Sequence, residues 1–122
     1  QGVSSAASDV YKRQAYYHWL LKQWQEGNTG LGIEGGESPD AVANRLSMAL
    51  KAIMEDKAKT VLVCMHGRAM RVMLCLMLNY PLKSMDLFEH RNLCLYELRH
   101  SGSVFTVTQS NNVAHLDMMV SE

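Results

Sequence analysis

The residues best suited to chemistry sit together in one short stretch, Thr60-Val61-Leu62-Val63-Cys64-Met65-His66-Gly67-Arg68-Ala69-Met70-Arg71. An apolar run rich in β-branched residues ends at His66, Gly67 follows, and Arg68 and Arg71 lie one helical turn apart. An imidazole at such a junction can donate hydrogen bonds to phosphate oxygens or move a proton near neutral pH. Glycine lets the backbone approach a ligand closely, and the free N–H groups that open a helix attract anions. The bland alternative is a histidine that only hydrogen-bonds a neighbouring loop. Arg68 and Arg71 also have two readings each: a planar fork that clamps an oxyanion, or an ion pair with a loop carboxylate. Glu37 is either an acid–base group or a carboxylate that bonds the free amides of a helix entry.

Positioning these groups takes a strand that stops at His66 and a helix that starts just after it. Thr60–Met65 reads as a parallel strand covered on both faces, and ligands of open α/β sheets bind at the carboxyl ends of such strands. The helix after His66-Gly67 runs through Leu78, is apolar nearly all round and is expected deep in the core. Asn79 and Pro81 end it. Upstream, Tyr17, Leu20, Leu21 and Trp24 share one face of a helix over residues 15–26, stopped by Gly27-Asn28-Thr29-Gly30. Ser38 is placed to cap a second helix with Pro39 at its first position and Asp40 in its first turn. Val42, Leu46, Ala49, Leu50 and Ile53 form its buried stripe up to about Met54. Residues 82–91 are a mixed connection. Asn92–Leu98 is the next strand, Ser101-Gly102 a hairpin turn, and Val104–Thr108 an antiparallel partner at the sheet edge. Ser110–Asn112 reads as a loop before a short apolar closing segment, Val113–Leu116. The strand–helix–strand core is expected to be a right-handed parallel crossover.

Bulk properties narrow the function. The 122 residues suffice for one small domain. Twelve basic and twelve acidic residues leave no net charge, so neither nucleic acid nor an anionic membrane is an expected partner. No apolar run reaches membrane-spanning length and no signal peptide is visible, which places the protein in the cytoplasm. Cys64, Cys75 and Cys94 are an odd number without a CxxC, and are expected to be buried free thiols in a reducing compartment. The spacings of His90, Cys94, His100 and His115 fit no common zinc pattern. Neither a metal nor a cofactor is expected. The nine methionines read as core filler, and Trp19 and Trp24 as core or rim packing.

Residues 4–14 resemble the in-frame translation of a sequencing adapter, and segments of that kind are set aside from fold reasoning. The expectation is a non-native tail over 1–14, a natural sequence starting near Ala15 with its upstream part missing, one domain over 15–118, and a tail over 119–122. From Gly35 onward the chain resembles the histidine phosphatase superfamily, the phosphoglycerate mutase-like fold. Three blocks carry the likeness in the family's order. Gly35-Gly36-Glu37-Ser38 is similar to its GGES segment, Val61–Arg71 to its second-histidine motif, and Asn111-Asn112-Val113-Ala114-His115-Leu116 to its closing N-D-x-A-H-L. The likeness covers about the C-terminal half of such a domain, nearly all of residues 15–118.

This resemblance implies an α/β fold, part of a three-layer α/β/α sandwich with a mostly parallel sheet and a C-terminal antiparallel edge hairpin. It also implies phosphoryl transfer through a phosphohistidine on a small phosphorylated metabolite, by phosphatase or mutase chemistry. His66 matches the second histidine of the family, which binds the phosphoryl group rather than attacking it. Gly67 and Arg68 complete the phosphate-binding set, with the backbone N–H of Arg68 standing where the family has a second glycine. Met65 replaces the family's serine. No R-H-G occurs anywhere in the chain, so the nucleophile and its arginine are absent, as is the acidic residue upstream of GGES. The chain as given is therefore expected to be inactive. The alternative is a non-catalytic anion-binding module of the same fold.

Overall fold

The computed structural model describes residues 2–120, with side chains described from Val10 to Asp117. The order is α1 (Gly2–Gln25), α2 (Pro39–Glu55), α3 (Gly67–Leu78), a 3-10 turn (Leu82–Leu87), β1 (Leu95–Ser101), β2 (Val104–Asn112) and α4 (Ala114–Val120). Helix and strand are both present, as expected of an α/β chain. The last two residues of the expected 119–122 tail lie outside the described residues.

The helix boundaries follow local chemistry. Helix α1 starts far upstream of Ala15 because nothing from Val3 to Glu26 breaks it, glycine and proline being absent there. Gly27 ends it with φ 104°. Ser38 caps α2, its Oγ accepting a hydrogen bond from the Ala41 N–H at 3.1 Å, with Pro39 at the first helical position. Asn79 closes α3 in the left-handed region, φ 59°, and its N–H bonds the Cys75 carbonyl. The connection after Pro81 is not irregular throughout, since Leu82–Leu87 form the 3-10 turn.

Leu20 and Trp24 of α1, Ala43 of α2, Val72 and Cys75 of α3, and Met85 of the 3-10 turn make one core cluster. Leu21, Val42, Leu46, Leu76, Leu82 and Phe88 pack around it. The α2 stripe is shorter than its periodicity predicts: Ala49 is exposed, and Leu50 and Ile53 are only partly covered. Of the methionines, Met73 and Met85 are buried but Met48 and Met54 are exposed. Trp24 is core and donates its indole N–H to the Leu31 carbonyl at 2.7 Å, whereas Trp19 lies on the rim, stacked on Tyr16.

The sheet departs from expectation. Among the described residues it has two strands, β1 and β2, paired antiparallel. Ser101 faces Val104 across a two-residue turn at Gly102-Ser103, and Gly102 has φ 64°. Strand β2 runs on through Ser110–Asn112, which the polar composition had marked as a loop. The closing segment is a helix, α4, with no strand beyond it among the described residues. Among the described residues neither a parallel crossover nor a three-layer sheet is formed. Thr60–Met65 is extended in sequence character but belongs to no ladder. Val61, Leu62 and Val63 are 46%, 82% and 47% exposed. Strand propensity is local, whereas a ladder needs a second strand alongside, and none lies there. Cys64 is consequently exposed rather than buried, while Cys75 is buried, Cys94 is partly so, and all three are free.

Candidate functional site

The junction singled out by the sequence is intact as local structure. His66 is the N-cap residue of α3, with extended backbone (φ −75°, ψ 158°) and no capping bond from its side chain. Its carbonyl accepts the first helical bond, from Met70 N–H at 2.9 Å. The N–H groups of Gly67, Arg68 and Ala69 therefore precede the helical ladder and point out of its positive end. The His66 side chain is exposed. The start of α3 thus presents up to three free backbone donors next to an exposed imidazole.

Gly67 has a reason to be glycine that the sequence does not reveal. A Cβ there would meet the ring of His90 at 2.8 Å from Cε1, 2.9 Å from Nδ1 and 3.0 Å from Nε2. A second imidazole thus rests against the first turn of α3. The sequence raised His90 only as a metal ligand, and missed its place against Gly67. His90 lies 23 positions along the chain from Gly67 and no local pattern links the two.

The arginines resolve toward structural partners. Arg68 donates to Asp86 Oδ1 and to the Tyr17 hydroxyl at 3.1 Å, and its guanidinium lies 5.4 Å from the centre of the Trp24 ring. Burial alone would lower its pKa, but the bonds to Asp86 and Tyr17 outweigh that and hold it above its ordinary value. Arg71 donates from Nε to the Phe88 carbonyl at 3.0 Å and places Nη1 3.7 Å from Asp86 Oδ1. Asp86 is thus the shared counter-ion, and its other oxygen is buried without a hydrogen-bond partner among the described residues. Cys75, buried and in reach of the field of Asp86, has its thiol pushed up to about 11.

An open groove of about 540 Å³ runs beside this cluster, lined by Arg71, Asp86, Phe88, Glu89, His90, Arg91 and Asn111. Its far wall is tied down by Asn111, whose backbone is left-handed (φ 48°) and whose Oδ1 accepts the Arg91 N–H at 2.8 Å. Along the same edge the Tyr96 hydroxyl donates to the Glu89 carbonyl, and burial raises its pKa, with smaller contributions from Cys94 and Glu89.

The remaining candidates lie in local contacts of their own. Glu37 pairs with Arg45 at 3.0 Å on the exposed entry of α2. The His115 ring bonds the Leu93 carbonyl at 2.9 Å, joining α4 to the turn before β1. Among the described residues no three His, Cys, Asp or Glu side chains come together as a metal site, and no helix is long and apolar enough to cross a membrane.

A sequence model of the histidine phosphatase superfamily (branch 1) matches residues 8–113. The match takes in Glu37, His66–Arg71, His90 and Asn111, and stops short of His115. No curated protein and no solved structure matches the chain.

Proposed function

The chain belongs to the histidine phosphatase superfamily, and from that premise we propose that the start of α3 is the phosphate-holding half of a phosphoryl-transfer site. His66 donates a hydrogen bond to the phosphoryl oxygens, and the backbone N–H groups of Gly67 and Arg68 bind the same oxygens. The observation that carries this reading is the uncommitted His66 imidazole at the positive end of a twelve-residue helix. The substrate is a small phosphorylated metabolite and the reaction a phosphatase or mutase transfer through a phosphohistidine. The nucleophile stands on an R-H-G segment that these 122 residues do not contain. The three-layer, mostly parallel sheet belongs to the same proposal, with Thr60–Met65 as the strand beside that segment. The protein acts in the cytoplasm.

The absence of R-H-G from the chain also favours a second reading, an anion-binding module without turnover. The gene sequence upstream of Ala15 separates the two: an R-H-G segment in frame supports the enzyme, and its absence supports the binder. Both readings require phosphate to bind at His66. Titrating inorganic phosphate or vanadate into the protein should shift the His66 ring resonances, and His66→Ala should abolish binding. The 122 residues alone should not hydrolyse a generic phosphate ester. Unchanged phosphate affinity in His66→Ala would overturn the site, and turnover lost in that variant would overturn the assignment of the nucleophile.

A further inference from the structure

A phosphoryl group at the start of α3 does not account for the groove beside it. The two adjoin at His90, whose ring abuts Gly67, and at Arg71, one turn into α3; both line the groove. A volume of about 540 Å³ suits a small organic molecule. Some of its lining groups are already committed. Arg71 is held by the Phe88 carbonyl and Asp86. Arg91 is held by Asn111, its N–H bonding Oδ1 at 2.8 Å and its guanidinium donating to the carbonyl at 2.5 Å. These bonds fix the walls. By contrast, the His90 imidazole, the Glu89 carboxylate and the Asn111 side-chain N–H groups make no hydrogen bond or ion pair among the described residues.

Resting on the phosphoryl-transfer reading of the start of α3, we propose that this groove receives the organic part of the substrate, and that this part is uncharged and bears hydroxyl groups. Charge is the first argument. Arg71 and Arg91 balance Asp86 and Glu89 along the lining, so no net charge draws in a carboxylate or an ammonium group, and a carboxylate meets the free Glu89. Hydrogen bonding is the second. A bare alkyl group takes Glu89, His90 and Asn111 out of water and gives no bond in return. A hydroxyl both donates and accepts, and the free groups offer both roles: Glu89 accepts, the Asn111 amide donates, and a neutral imidazole does one of each. Phe88, stacked on Tyr80 with ring centroids 5.8 Å apart, gives the carbon skeleton one apolar wall. His90 is the specificity-determining residue. It borders both the first turn of α3 and the groove, so it meets the first hydroxyl beyond the phosphoryl group.

Titration of the 122-residue protein with three phosphate monoesters, followed by NMR, tests this without turnover. Ethyl phosphate carries no hydroxyl, glycerol 1-phosphate carries two, and phosphoglycolate carries a carboxylate. All three should shift the His66 ring resonances. Glycerol 1-phosphate should bind about tenfold tighter than ethyl phosphate, the worth of one or two hydrogen bonds, and tighter than phosphoglycolate. It should also shift the Asn111 side-chain amide, which ethyl phosphate leaves in place. His90→Ala should bring the ratio of glycerol 1-phosphate to ethyl phosphate affinity down to about two or less. Glu89→Ala is a second variant at an exposed position outside the core, and should lower the same ratio at least threefold with far-UV circular dichroism unchanged. Equal affinities for the two esters, with His66 shifted by both, overturn the groove and leave the phosphate site standing. Phosphoglycolate binding tightest overturns the uncharged class. A ratio that survives both variants overturns the placement in the groove. No shift at His66 with any ester overturns the phosphate site and the groove together.

Discussion

Replacing Asp86 with alanine removes the acceptor that two guanidinium groups share. Arg68 donates to its Oδ1, and Arg71 lies 3.7 Å from the same atom. The side chains of Arg68, Arg71 and Asp86 are 29%, 23% and 22% exposed. The cluster thus falls between exposed pairs, worth up to about 1 kcal/mol, and fully buried ones, where removing a partner costs about 3–5 kcal/mol. A charged hydrogen bond contributes about 1.5–3 kcal/mol, so Asp86→Ala should destabilise the fold by about 2 kcal/mol. In a chain of this length that lowers Tm by roughly 6–10 °C. A double-mutant cycle with Arg68→Met, followed by urea unfolding at low protein concentration, isolates the pair and should give a coupling of about 1–2 kcal/mol. A coupling under about 0.5 kcal/mol would refute the placement of Arg68 in the scaffold. The same variants bear on the site. The guanidinium is committed to Asp86, Tyr17 and Trp24, so the proposed phosphate site would use Arg68 through its backbone N–H alone. Arg68→Met should then change phosphate affinity less than about twofold. A large loss of affinity with stability intact would show that the guanidinium holds the ligand.

Two further perturbations probe the surroundings of α3. Gly67→Ala puts a methyl group 2.8–3.0 Å from the His90 ring; the ring must swing away, costing about 1 kcal/mol and shifting the His90 ring resonances, whereas unmoved His90 signals would refute the contact. Cys75 makes the fold sensitive to alkali: its thiol is raised from an ordinary 9.0 to about 11, mainly by burial. The folded state therefore holds its proton more tightly than the unfolded chain. The resulting stability is fully present below about pH 9 and is lost as pH rises through about 11. Urea unfolding across that range should show the slope in the parent chain and a weaker one in Cys75→Ala.

What could be read from the sequence was local. Ser38 with Pro39 and Asp40 announced the start of α2, because a cap needs only a side-chain oxygen near the next turn's amides. Asn79 and Pro81 marked the end of α3, and Ser101-Gly102 the hairpin. The His66-Gly67 junction at the start of α3 was likewise legible, and motif order placed the chain in its family. The α1 start was misread because the adapter-like resemblance of residues 4–14, not helix propensity, set the boundary at Ala15. The Arg68 reading stayed double because its carboxylate partner, Asp86, is 18 residues away.

The sequence by itself determined where α2 and α3 begin and end, that His66, Gly67 and Arg68 stand at the start of α3, and the superfamily. Only the tertiary structure decided which guanidinium is tied to Asp86, why residue 67 is glycine, and that Val61–Val63 face water. Caps, turns and helical periodicity are set by neighbours within a few residues, and the sequence holds both partners side by side. An ion pair, a ring against a backbone and a strand in a sheet each need a second group from elsewhere in the chain. His90 came to Gly67 and Asp86 came to Arg68, but among the described residues no strand came to Thr60–Met65, so the β-branched pattern that predicts a buried strand is left unpaired there.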